Sequence, residues 1–222
     1  MRAILLVPVL ATVFCAGPVT AAETVLFEDS FKTGLSEKWQ VVGLDKKDYR
    51  VKDDGLEMRV QVGKPKNPPM LKVVVPFEEK GILSASVTIT LLDEFTTDGE
   101  CAGLYLTTNG SREFSAEKKR VKGNVVFSPG KHVFKGKKGE EGNRDSYDVI
   151  YTEATKDPLR IIAQGNYGFF QVGPSAKGEY QTFFHSILKD EVKERGFSLA
   201  ACGAPEKANH WVRFSEFKVV KQ

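Results

Sequence analysis

The closing stretch from Arg195 to Lys221, RGFSLAACGAPEKANHWVRFSEFKVVK, is the part of the chain that admits the fewest folds. It reads as an apolar strand, a polar loop and a long final strand. In that last strand Val212 and Phe214 share one parity, and Phe217 and Val219 share the other. Side chains alternate between faces along a strand. The change of phase at Ser215–Glu216 therefore predicts a β-bulge, which would return these apolar residues to one core. A closing strand needs a partner, and VLFEDSF (Val25–Phe31) near the other end of the chain supplies one. The expected result is a β-sandwich closed by its own ends.

The interior of the chain agrees. Leu56, Met58, Val60 and Val62 alternate with Glu57, Arg59 and Gln61, after an Asp53-Asp54-Gly55 hairpin signal. In Ile82–Leu92 the residues Leu83, Ala85, Val87, Ile89 and Leu91 face a core, while Ser84, Ser86, Thr88 and Thr90 form an outward row, as on an ordinary exposed sheet face or equally on the floor of a wet groove. Cys101–Thr108 sets Leu104 and Leu106 opposite Tyr105 in parity. Five further apolar segments recur between Tyr147 and Ala201 at spacings that mark a sandwich or barrel. No linker, repeat or low-complexity tract divides them, so 23–222 reads as one domain.

Residues 1–22 have a different character. Arg2, the apolar run Ala3–Phe14 and the small residues of Val19–Ala22 form the pattern of a secretory signal. That run is shorter than the roughly 20 residues of a membrane helix. The expectation is a protein exported to the periplasm, cell envelope or medium, without membrane insertion. Export leaves Cys101 and Cys202. An oxidising compartment favours a disulfide between them, with two buried free thiols as the alternative.

The quoted segments FEDSF, LSEKWQV, YRVKDDGLEMRV, AGLYL, GFSLAACG and WVRFSEFKV together resemble the concanavalin A-like lectin/glucanase superfamily, in the style of its secreted bacterial members. The resemblance spans nearly all of Val25–Lys221. It implies an all-β fold, a single jelly-roll sandwich of two antiparallel sheets with a sugar-facing concave sheet. It also implies calcium as the one cofactor to consider, with oxygen ligands from Glu28, Asp29 and Glu216 near the first and last strands.

Catalytic signatures are missing from the sequence. The Glu-x-Asp-x-(x)-Glu pattern of the superfamily's hydrolases is absent, and the acidic run Asp93–Glu100 reads as a solvated turn. GPSAKG at Gly173–Gly178 is one residue too long for a nucleophile elbow. His132, His185 and His210 form no metal pair at short spacing; His185 reads as half-buried, and a Cys202/His210 nucleophile pair has little behind it. No phosphate-binding glycine loop is present.

Binding is better supported. Tyr105, Tyr167 and Tyr180 could stack on sugar rings while Gln171 or Arg112 bonds hydroxyls. Lys118, Lys119, Arg120, Lys122, Lys131, Lys135, Lys137 and Lys138 stand against the single acid Glu117, so 117–138 carries +7 in a chain of net +3. Such a stretch attracts anions, acidic polysaccharide before nucleic acid in an exported protein. The leading expectation is a non-catalytic protein that binds a poly- or oligosaccharide. One alternative is a hydrolase or lyase with a non-standard site. Another is a structural module that binds a protein partner.

Overall fold

The computed structural model describes residues 23–63, 68–76, 81–132, 144–146, 150–151, 156–173, 179–188 and 192–222. The expected leader, 1–22, lies outside them, as do Lys135, Lys137 and Lys138. In chain order the strands are β1 (Thr24–Asp29), β2 (Gln40–Val42), β3 (Tyr49–Lys52), β4 (Gly55–Arg59), β5 (Gln61–Val62), β6 (Met70–Val75), β7 (Ile82–Leu91), β8 (Cys101–Thr108) and β9 (Ser111–Val121). They continue as β10 (Asn124–His132), β11 (Arg144–Ser146), β12 (Ile150–Tyr151), β13 (Lys156–Gln164), β14 (Tyr167–Val172), β15 (Gln181–Ile187), β16 (Arg195–Ala204) and β17 (Trp211–Lys221).

These strands form the two sheets of an all-β sandwich. The first runs β15-β14-β13-β7-β17-β4-β3, with β1 also on β17. The second runs β11-β10-β9-β8-β16-β6-β2, with β12 on β10 and β5 on β16. The ladders are antiparallel apart from the short β5–β16 contact. The ends close as expected, with Thr24 opposite Lys221 and Asp29 opposite Phe217. The register of β17 against β7 shifts between Ser215 and Lys218, and Glu216 takes φ 56° in the bulge. Val212, Phe214, Phe217 and Val219 are all fully buried as a result.

Two local readings are corrected. The β3–β4 hairpin pairs Lys52 with Gly55, so its loop is Asp53-Asp54, both at positive φ. Gly55 is needed for another reason: a Cβ there would lie 2.6 Å from the Arg213 side chain. The expected strand Leu56–Val62 also divides. Leu56, Met58 and Val60 are buried, but β5 crosses to the second sheet, leaving Val62 49% exposed.

Cys101 and Cys202 are direct cross-strand partners on β8 and β16. They are buried, unbridged thiols with sulfurs 3.5 Å apart, so the expected bridge is not formed in this structure. Opposed residues of antiparallel strands have a Cα separation that a disulfide can span. Under oxidising conditions the two thiols are therefore expected to join. Thiol titration of the denatured, unreduced protein should find none, and finding two would end the expectation.

Candidate functional site

On the first sheet, one face supplies the core and the other carries polar side chains in registered rows. Lys218, Ser86, Arg160, Gln171 and Thr182 lie side by side across β17, β7, β13, β14 and β15. The neighbouring row sets Ser215, Thr88 and Pro158 together. Above these rows lies a cavity of about 350 Å³, lined by Ser86, Val87, Thr88, Lys156, Pro158, Tyr180 and Glu216. The outward hydroxyls of β7 thus floor a groove. Thr88 is nevertheless nearly covered and Ser86 half-buried, so the row is not an open surface.

Each wall of the cavity has a local cause. Glu216 is the extra residue of the β17 bulge, which turns its carboxylate onto this face, where it accepts a hydrogen bond from Thr88 Oγ1 at 2.8 Å. Tyr180 precedes β15, and the Arg160 guanidinium lies 3.8 Å from its ring centroid. Arg160 Nε donates to Gln171 Oε1 at 2.7 Å, and Gln171 Nε2 donates to Thr182 Oγ1 at 2.9 Å. Burial raises the Tyr180 pKa, Arg160 opposes this and Glu216 adds to it. The phenol is therefore a hydrogen-bond donor at neutral pH. Lys156 is exposed at the rim.

Beside the cavity the same face carries an ion-pair cluster. Glu57 is buried and accepts from Arg50 Nε at 2.7 Å and from Arg213 Nη2 at 2.6 Å. Burial alone would raise its pKa, but the two guanidinium groups outweigh it and hold the carboxyl below its ordinary value. Arg213 also reaches Asp53, and Arg50 stacks on Trp211 at 4.3 Å.

The sequence candidates are thus divided. Tyr180, Gln171 and Glu216 meet at this groove. Tyr167 shares the face but lies four residues from Gln171 along β14, about 13 Å away at strand rise, and is 46% exposed. Tyr105 and Arg112 belong to the second sheet, on its outer face. Tyr105 is 0% exposed, with the Arg112 guanidinium 5.0 Å from its ring centroid. Burial raises its pKa, with further contributions from Glu117, Cys101 and Cys202, while Arg112 opposes them. Gly103 makes the room this cluster needs, since a Cβ there would lie 2.7 Å from Glu117 and 3.2 Å from the Tyr105 hydroxyl. An entirely buried ring offers no platform to a sugar.

The basic stretch is not a uniform surface patch. Lys118 points into the sandwich and pairs with Asp157 of β13 at 2.6 Å with no exposed side-chain surface. Arg120 is held by the Phe95 carbonyl, Glu94 and Asp98. Lys119 and Lys131 are half-buried, and Lys122 is exposed in the β9–β10 turn at φ 49°. Of the calcium candidates, Glu28 is exposed. Asp29 accepts from Phe31 N, Ser36 N and Trp39 Nε1 at 2.7, 3.1 and 2.8 Å. Glu216 serves the groove. No group of three His, Cys, Asp or Glu able to hold a metal occurs among the described residues.

Sequence reasoning missed Glu100. It ends the run expected to be a solvated turn, yet it is fully buried, accepting from Thr96 N at 2.8 Å, Thr97 N at 2.6 Å and pairing with His210 Nδ1 at 2.7 Å. Its place immediately before the apolar β8 was the available signal. His185 is exposed beside Phe169 rather than half-buried.

A scan of the sequence against protein-family models found no match, and a search of curated proteins found none either. Solved structures do match in shape. The CBM2 module of the evolved Dit of Lactobacillus casei BL23 phage J-1 aligns with TM-score 0.64 at 8% identity, over 89% of this chain and 95% of that one. The xyloglucan PUL GH43B of Bacteroides ovatus aligns with TM-score 0.67 at 15% identity, over 90% of this chain and 40% of its own length. An alginate lyase from Klebsiella pneumoniae aligns with TM-score 0.57 at 11% identity, over 80% of this chain and 85% of that one. At these identities the likeness is one of fold. The similar structures also include a xylan beta-1,4-xylosidase from Bacillus halodurans and a functionally unknown protein from Saccharomyces cerevisiae.

Proposed function

We propose that this is an exported, single-domain, non-catalytic sandwich of the concanavalin A-like kind, which binds a poly- or oligosaccharide in the groove of its first sheet. The cavity beside Tyr180 carries this reading. It combines an aromatic ring, a hydroxyl floor at Ser86 and Thr88, and one carboxylate, Glu216. Sugar rings present an apolar face to an aromatic and hydroxyls to polar groups, which this lining matches. Among the described lining residues Glu216 is the one carboxylate, which fits binding better than glycoside hydrolysis with its flanking pair. The names of the structural neighbours, with a CBM2 module, xyloglucan and alginate among them, give the reading support at the level of fold.

The test is binding of the 23–222 protein to a panel of neutral and acidic polysaccharides, with reducing-sugar and unsaturated-product release followed in the same tubes. Tyr180→Ala should weaken binding roughly tenfold, about 1.4 kcal/mol, without product from either protein. Product release would make the protein an enzyme. Equal binding by the variant would move the site elsewhere.

A further inference from the structure

Several cations among the described residues are paired with carboxylates. Arg50 and Arg213 share Glu57, Lys72 pairs with Glu194, Lys118 with Asp157, and Arg120 with Glu94 and Asp98. Lys218 stands opposite Glu28 across the β1–β17 ladder. Two cations stand at the groove. Among the described residues neither Lys156 nor Arg160 has a carboxylate within ion-pair distance. Arg160 is half-buried and burial lowers its pKa, while Tyr180 and the more distant Glu23 oppose the shift.

Its geometry indicates what kind of ligand group it suits. Stacking on Tyr180 fixes the plane of the guanidinium, and Gln171 occupies Nε. The Nη1 and Nη2 donors have no partner among the described residues. A planar fork held from one side in this way is suited to two parallel bonds from a carboxylate. Tyr180, which holds it, is also a wall of the cavity, and Lys156 lines the same cavity. Glu216, the one acid among the described lining residues, is engaged by Thr88 and remains able to accept from sugar hydroxyls.

We propose that the groove selects uronate-bearing glycans, with the sugar carboxylate recognised by Arg160 and Lys156 and the ring lying against Tyr180. This rests on the carbohydrate-binding reading and adds the chemical class of its ligand. It also transfers the role expected of the basic stretch around Lys118 to the opposite sheet.

Polygalacturonate, alginate and glucuronoxylan, each beside its carboxyl-reduced counterpart, provide the probes. Affinity is measured by titration of the 23–222 protein at 50 and 200 mM NaCl. The expected result is that at least one acidic polymer binds, tenfold or more tightly than its reduced form, with affinity falling at the higher salt. Arg160→Gln and the rim variant Lys156→Gln should each reduce binding of the acid severalfold and lower the ratio of acid to reduced-polymer affinity. Melting temperatures of the variants separate this from misfolding, and exposed Lys156 keeps the test valid if Arg160→Gln unfolds. Equal affinity for acid and reduced polymers overturns the charge selection while leaving carbohydrate binding intact. Acid binding unchanged in both variants overturns it too. No binding to any of the six polymers overturns both readings.

Discussion

Replacing Lys118 with methionine will destabilise the protein by about 3–5 kcal/mol, because it leaves the Asp157 carboxylate buried without its cation. Lys118 lies on β9 with Phe114 and Ala116 on the inward face, and its Nζ crosses to Asp157 on β13 at 2.6 Å. Burial lowers the lysine pKa, and the Asp157 hydrogen bond and charge oppose the shift. The pair is thus a compromise between the desolvation of two ions and their attraction. The double variant Lys118→Met with Asp157→Leu, which removes both charges, should recover most or all of the loss. Urea or thermal melts of the two single variants and the double variant check this. A Lys118→Met protein as stable as the parent would mean that the pair does not exist in solution. At roughly 2–4 °C per kcal/mol for a chain of this size, the single variant should melt some 10 °C lower.

Asp29→Ala will cost about 3 kcal/mol or more. The carboxylate organises the chain that follows β1, accepting from the backbone N–H groups of Phe31 and Ser36 and from the Trp39 indole. Hydrogen bonds to a charged acceptor are worth about 1.5–3 kcal/mol each when lost, though they do not add fully. Phe31 sits at φ 59°, a costly conformation for a side chain of its size, and its N–H is one of the bonds holding it. Trp39 in turn contacts Phe27, Phe31 and Phe217, with ring centroids at 5.4, 6.3 and 4.8 Å. Loss of the acid therefore loosens an aromatic cluster that ties the two ends of the chain together. Asp29→Asn, which keeps one acceptor oxygen, should fall between. Excess EDTA should leave the melting temperature of the parent unchanged; a drop would return Asp29 to the calcium reading.

Much of the fold was legible because alternation reports the relative face of each residue. Val212, Phe214, Phe217 and Val219 could share a core only through a bulge, and the bulge is there. The inward faces of β7 and β8 were legible for the same reason. Alternation does not say what covers the other face, however. Tyr105 and Ser86 both read as outward, yet one is wholly buried and the other borders a cavity. Lys118 was grouped with its basic neighbours by composition. Its parity with Phe114 and Ala116 carried the better information, and a charge can follow that parity inward when a partner awaits it. Leu56–Val62 kept its alternation through a change of sheet, which the pattern cannot register.

The sequence by itself determined the all-β class, the pairing of the first strand with the last, the bulge at Glu216 and the outward hydroxyls of β7, since each follows from local periodicity or from the two ends of one chain. Only the tertiary structure decided which polar residues meet. Lys156, Arg160, Tyr180 and Glu216 come together because β13 and β17 flank β7 in one registered sheet and β14 carries the next strand beyond β13. That order of strands is set by how the two sheets bury their apolar faces against each other, a property of the whole chain that no single segment contains.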